Sequence, residues 1–123
     1  MADSKKKRIL IVDDDIVLRE TIQQCVEREG FEAILATDGR WALELISKEP
    51  VDLIISDISM PDIDGLELLE AVRKVRDLPV IMMTAFAMDS EVKRAKDLGV
   101  SAFMNKPFRC GQLVIEIRKV FQK

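Results

Sequence analysis

The sequence predicts an α/β fold in which five βα units build one doubly wound parallel sheet, with helices on both faces. Three observations carry that expectation. Short apolar runs alternate with helix-period patterns along the chain. The runs are nearly continuous in apolar residues rather than strictly alternating, which implies strands buried on both faces. At 123 residues, with 48% hydrophobic and 33% charged residues, the chain has the length and composition of a single folded domain. That domain is expected to occupy 1–123, with residues 1–7 a basic N-terminal tail.

The elements follow in order. RILIV, residues 8–12, is rich in β-branched side chains and runs into Asp13-Asp14-Asp15. Leu18, Ile22, Cys25 and Val26 then recur at helical spacing, and Gly30 is placed to end that helix. FEAILA (31–36) is the second strand. DGRWALELISK (38–48) reads as a helix, with the pairs Trp41/Leu45 and Ala42/Ile46 on one face. LIIS (53–56) is a strand ending in Asp57, entered from Asp52, which reads as a solvated residue. In the turn Met60 to Gly65, Pro61 fixes φ, Asp62 and Asp64 can bond their own backbone, and Gly65 tolerates positive φ. Leu66, Leu69, Val72 and Val75 mark the third helix. PVIMM (79–83) is a strand ending in Thr84. Residues 89–98 form a helix with a thin apolar stripe of Val92, Ala95 and Leu98, followed by Gly99. AFMN (102–105) ends in Lys106-Pro107, and the last helix carries Leu113, Ile117, Val120 and Phe121. Right-handed crossovers leave few topologies. At five strands the flavodoxin-like order 2-1-3-4-5 is the natural one.

Composition removes several function classes. A net charge of −3 argues against a dedicated nucleic-acid binder, so no direct nucleic-acid partner is expected. The apolar runs fall far short of the ~20 residues of a membrane span, and no membrane insertion is expected. SKKKR leads straight into a strand without an apolar core or cleavage site, unlike a signal peptide. The expected location is cytoplasmic. The two cysteines, Cys25 and Cys110, lie far apart, and the chain has no histidine. Zinc sites of the Cys/His type and Ser-His or Cys-His nucleophiles are therefore set aside. The cysteines are expected to be reduced, with Cys25 in a helix core position.

In a parallel sheet, whatever follows each strand gathers along one edge, where open α/β sheets bind ligands. Strand 1 delivers Asp13 and Asp14, strand 3 Asp57, strand 4 Thr84 and strand 5 Lys106. Each taken singly could be a helix cap, a reading that suits Asp15 well. Together they place three carboxylates in one pocket, with a hydroxyl and an ammonium opposite. A proton or a divalent cation would relieve the repulsion. Hard oxygen ligands with room for water suit Mg²⁺, with Mn²⁺ as a substitute. Metal, hydroxyl and lysine together suit a phosphoryl group. An aspartate can act as nucleophile and form an acyl phosphate, and Asp57, alone at the central strand's end, is the best candidate.

At these residues the chain resembles a receiver domain of the two-component response regulators, the resemblance running from ILIVDDD through SDISMPDIDG and MTA to FMNKPF. It implies that Asp57 is the phosphoacceptor. Asp14 and Asp57 would ligate Mg²⁺ with the backbone carbonyl of Ser59, and Asp13 would act through a bound water. It further implies that Thr84 and Lys106 contact the phosphoryl group and that Lys106-Pro107 is a cis peptide. Phe103 would be the aromatic switch that moves with Thr84, here lacking the hydroxyl of the commoner tyrosine. Ser59 and Phe86, two residues beyond the acceptor and the threonine, would tune the phosphoryl lifetime.

The resemblance also implies a partner histidine kinase or histidine phosphotransfer protein as donor. The receiver assists its own modification and is not a turnover enzyme. The signal would leave through helix 4, strand 5 and helix 5, toward a protein partner, a fused output domain or a phosphorylation-linked homodimer. Basic Lys93, Arg94 and Lys96 on helix 4 are a solvated face or a docking surface for an acidic partner. Three other readings stay beside this one. A degenerate receiver would be folded but not phosphorylated. An aspartyl phosphohydrolase would show a D-x-D pattern, which Asp57-Ile58-Ser59 lacks. A flavodoxin-like cofactor binder would want a phosphate-cradling loop where Asp13-Asp14-Asp15 stands.

Overall fold

In the computed structural model, residues 6–122 are described. Most of the expected basic tail lies outside them; Lys6 and Lys7 are exposed. The elements are β1 (Arg8–Val12), α1 (Ile16–Arg28), β2 (Glu32–Ala36), α2 (Gly39–Lys48), β3 (Leu53–Asp57), α3 (Gly65–Val75), β4 (Val80–Thr84), α4 (Asp89–Asp97), β5 (Ala102–Asn105) and α5 (Cys110–Phe121). They form one parallel sheet in the order β2-β1-β3-β4-β5. The chain order reverses between β1 and β3, so both strand ends open onto one crevice.

The two faces of the sheet carry separate cores, because side chains alternate along each strand. Leu10, Val12, Ile54, Val80 and Met82 point to one face, where they pack with Ala42, Ile46, Leu68, Leu69 and Val72. Ile9, Ile11, Leu53, Ile55, Ile81 and Met83 point to the other, against Ile22, Val26, Leu113 and Ile117. Burying a side chain such as Leu69 contributes roughly 2 kcal/mol. Every residue of β3 and β4 is buried, as a central strand covered on both sides must be.

Local signals set the helix starts. Asp15 accepts from the backbone N–H groups of Val17 and Leu18, and Asp38 from Trp41. Asp64 and Glu67 form a capping box at the start of α3. Gly30 and Gly99 adopt φ of 90° and 78° just past α1 and α4.

Several expectations need correction. Val75 is 67% exposed, whereas Leu68, which the spacing left out, is buried in the core. Trp41 is 53% exposed, so the inward face of α2 belongs to Ala42 and Ile46. The stripe on α4 is thinner still, with Ala95 its one buried residue. Asp52 is not merely solvated: its carboxylate accepts from the backbone N–H of Arg8 at 2.7 Å and so closes the lower end of the β1–β3 ladder. In the turn after β3 the positive φ falls on Asp62, at 72°, not on Gly65. Gly65 has a different task. A Cβ there would collide with the carbonyl oxygen of Asp57 and come within 2.8 Å of the Ile58 Cα, so only glycine lets α3 start against the end of β3. The cysteines are also not free: Cys25 of α1 is bonded to Cys110 of α5.

Candidate functional site

The carboxyl edge of the sheet brings together Asp13, Asp14, Asp57 and Lys106. One carboxylate oxygen from each aspartate lies within 4.8 Å of the other two. Asp13 is fully buried and Asp57 7% exposed, whereas Asp14 faces solvent. Lys106 reaches in from the end of β5, its ammonium 3.0 Å from Asp57 Oδ2 and 3.4 Å from Asp13 Oδ2. The backbone adds donors: Asp15 N–H to Asp13 Oδ1 at 2.8 Å and Ser59 N–H to Asp57 Oδ1 at 3.4 Å.

Electrostatics follow from burial. Loss of water pushes the Asp13 carboxyl up, and the Asp57 charge adds to that; the Asp15 N–H and the Lys106 ammonium oppose it. For Lys106, burial is the largest single influence and pulls its pKa down. The bond to Asp57 and the charges of Asp13 and Asp57 together outweigh it, so the group is raised and stays protonated. Three carboxylates face one ammonium. That excess of hard oxygen donors, with Asp14 open to water, fits a divalent cation such as Mg²⁺.

Thr84 is placed otherwise. Its side chain is buried, and its hydroxyl serves the loop that follows: it donates to the Phe86 carbonyl at 3.0 Å and accepts from the Phe86 N–H at 3.2 Å. Lys106 N–H donates to the Thr84 carbonyl at 2.7 Å, tying the ends of β4 and β5. Phe103 is half-buried and packs against the core on the α2–α3 side. Phe86 is 80% exposed and Ser59 is also exposed. The Lys106–Pro107 bond is cis.

Three arginines were not foreseen, two that support this edge and one at the opposite edge of the sheet. Arg19 of α1 donates to the Asp13 carbonyl at 2.7 Å and so fixes the loop that carries Asp13 and Asp14. Arg40 pairs with Asp62, steadying the turn beyond Ser59; that bond holds the Asp62 carboxyl below the usual range. Arg73 of α3 donates to the carbonyls of Leu98 and Gly99 at 2.8 and 3.0 Å and also to that of Leu78, clamping the end of α4. The one sequence signal for Arg19 is its place on the first turns of α1, where side chains lean back toward the N-terminus.

Comparison with known proteins converges on one family. The family model "Response regulator receiver domain" matches residues 9–118. Transcriptional regulatory protein CpxR of Escherichia coli (strain K12) is 36% identical over 116 residues, which cover 94% of this chain and 50% of that protein. Response regulator MprA of Mycolicibacterium vanbaalenii is 36% identical over 117 residues, 94% of this chain and 51% of that one. The chain thus spans about half the length of the curated relatives it matches. Among solved structures, a CheY-like response regulator receiver domain protein from Methanospirillum hungatei superposes with a TM-score of 0.92 at 34% identity, covering 96% of both chains. Chemotaxis protein CheY4 of Vibrio cholerae gives a TM-score of 0.89 at 31% identity, covering 94% of this chain and 99% of that one.

Proposed function

The chain belongs to the response regulator receiver family, and from that premise we propose that it is a phosphorylation-dependent switch whose phosphoacceptor is Asp57. The observation that carries the proposal is the convergence of Asp13, Asp14, Asp57 and Lys106 at the end of the central strands. An Asp57 carboxylate oxygen attacks the phosphorus of a partner phosphohistidine. The P–N bond breaks, and the imidazole leaves with the electron pair. Asp14, Asp57 and the Ser59 carbonyl would hold Mg²⁺ or Mn²⁺, with Asp13 acting through water, and the cation would offset charge on the phosphoryl oxygens. Lys106, already 3.0 Å from Asp57, follows the charge outward onto the new phosphoryl oxygens. The donor, as membership of the family implies, is a sensor histidine kinase or a histidine phosphotransfer protein that carries the histidine this chain lacks. The protein assists its own phosphorylation and dephosphorylation, and is not a turnover enzyme on external substrates.

The signal leaves by a local exchange of bonds. For its hydroxyl to reach the phosphoryl group, Thr84 gives up Phe86, and the loop into α4 shifts. Phe103 then turns into the space released, by packing alone. One buried residue holds α4 to the core, while Arg73 and the Arg94–Glu70 pair hold its far end. Its N-terminal half is therefore the movable part. The altered surface of α4, β5 and α5 changes affinity for a protein partner, a fused output domain or a second copy of the chain. Ser59 and Phe86 flank the route of hydrolytic water and set the lifetime of the phosphoryl group.

Incubation with acetyl phosphate, with and without Mg²⁺, tests the proposal by intact mass. One Mg²⁺-dependent phosphoryl adduct, absent in Asp57→Asn, is the expected result. An adduct that persists in Asp57→Asn, or none in the unsubstituted protein, overturns it.

A further inference from the structure

Neither cysteine has a part in the phosphoryl chemistry, yet the fold brings them together. Cys25 is 5% exposed on the inner face of α1, and Cys110 is the first residue of α5. They are 85 residues apart in sequence, and their Cα atoms are 5.7 Å apart. That separation lies inside the range of roughly 4.4–6.8 Å at which a disulfide closes without moving the backbone. The two sulfurs have unlike surroundings. Cys25 sits beside Ile22 and Val26 in the apolar core. Cys110 is half-buried at the start of α5, where a reagent reaches its sulfur more readily than that of the 5% exposed Cys25. Cys110 is thus the attacking thiol and Cys25 the resolving one.

Position gives the pair a consequence. The short segment Lys106–Arg109 joins the pocket ammonium directly to Cys110, and Phe108 within it packs against the core on that face. We propose that Cys25 and Cys110 are a reversible thiol–disulfide site that, when oxidised, ties the start of α5 to α1 and holds the Lys106–Arg109 segment in its pocket-facing position. The partner reagent is a disulfide, small or protein-borne. The Cys110 thiolate attacks one sulfur of RSSR, and RS⁻ leaves with the electron pair and takes up a proton. The Cys25 thiolate then attacks the Cys110 sulfur of the mixed disulfide and releases the second RSH. Two protein thiols are oxidised, one disulfide is reduced, and a dithiol reverses both steps.

The experiment uses the full chain equilibrated with oxidised glutathione or with dithiothreitol. Thiols are counted by alkylation and intact mass, and hydrogen exchange is followed over 106–113. The oxidised protein should be monomeric with no alkylatable thiol. Exchange at 106–113 should be several-fold faster after reduction, and the melting temperature lower by roughly 15–20 °C, as expected for opening so long a loop. Cys110→Ser should exchange like the reduced protein and ignore the oxidant. Two thiols that still alkylate after oxidised glutathione, an adduct that stops at Cys110, or equal exchange in both forms would overturn the proposal. The link to Lys106 rests on the phosphoacceptor reading of Asp57. Beryllofluoride with Mg²⁺, a phosphoryl mimic, should therefore bind the oxidised form several-fold more tightly. Equal affinity overturns that link, whereas binding to neither form overturns the phosphoacceptor reading instead.

Discussion

Asp14→Asn should stabilise the protein without metal and remove its response to metal. Asp14 has an oxygen within 4.8 Å of both Asp13 and Asp57 and faces solvent, so its repulsions are those of a high-dielectric site. At that distance each like-charge pair costs ~0.9 kcal/mol in bulk water and ~3.5 kcal/mol at an effective dielectric of 20. Exposure places Asp14 near the first limit, so neutralising it should gain about 1–2 kcal/mol. At this chain length the gain raises the melting temperature by roughly 4–8 °C. Lys106 contacts Asp13 and Asp57, so its ion pairs survive the change. In the unsubstituted protein, Mg²⁺ at a hundred times its dissociation constant should add about 2.7 kcal/mol. In the variant that increment should be largely lost. Thermal melts in chelator and in Mg²⁺ measure both effects. A variant that melts no higher in chelator, or that keeps the full Mg²⁺ increment, refutes the charge-cluster reasoning.

Three further outcomes are expected. Arg73→Met leaves three carbonyls without their donor and should cost about 2 kcal/mol in urea unfolding, with faster hydrogen exchange at 98–100; a loss below ~0.5 kcal/mol counts against the clamp. Gly65→Ala drives a methyl into the Asp57 carbonyl and should cost about 3 kcal/mol or more, again by urea unfolding, and near-native stability would contradict the close approach. Phe86→Glu or Phe86→Asn should shorten the phosphoryl lifetime, followed by loss of the adduct mass after the donor is removed; an unchanged rate sinks the idea that Phe86 hinders water.

Much of the fold was legible because its signals are local. Strand runs, Asp15 as a cap, and Gly30 and Gly99 as helix ends can be read within a few residues, and the parallel sheet follows from alternation, with 2-1-3-4-5 the natural one of the few orders that handedness leaves. The carboxylate cluster was legible for a related reason: once strands are parallel, residues at their ends must share an edge. What escaped depends on neighbours distant in sequence. Spacing could not separate Val75 from Leu68, because the end of α3 runs past the edge of its core. Arg19, Arg40 and Arg73 have long side chains whose targets exist only after folding. The Cys25–Cys110 bond joins the first and last helices, and nothing within either helix announces it. Thr84 was placed at the right edge, but its present partner is the next loop rather than the pocket.

On the proposed reading, the closed pair of bonds between Thr84 and Phe86 would also set how quiet the switch is at rest. A hydroxyl held only by its own loop can leave by thermal fluctuation. If that hold is about 1.4 kcal/mol, roughly one molecule in ten already has its threonine released with no phosphate present. The background of the signalling circuit is then written in a single turn, and the Thr84 methyl shift, recorded without donor, reads it directly.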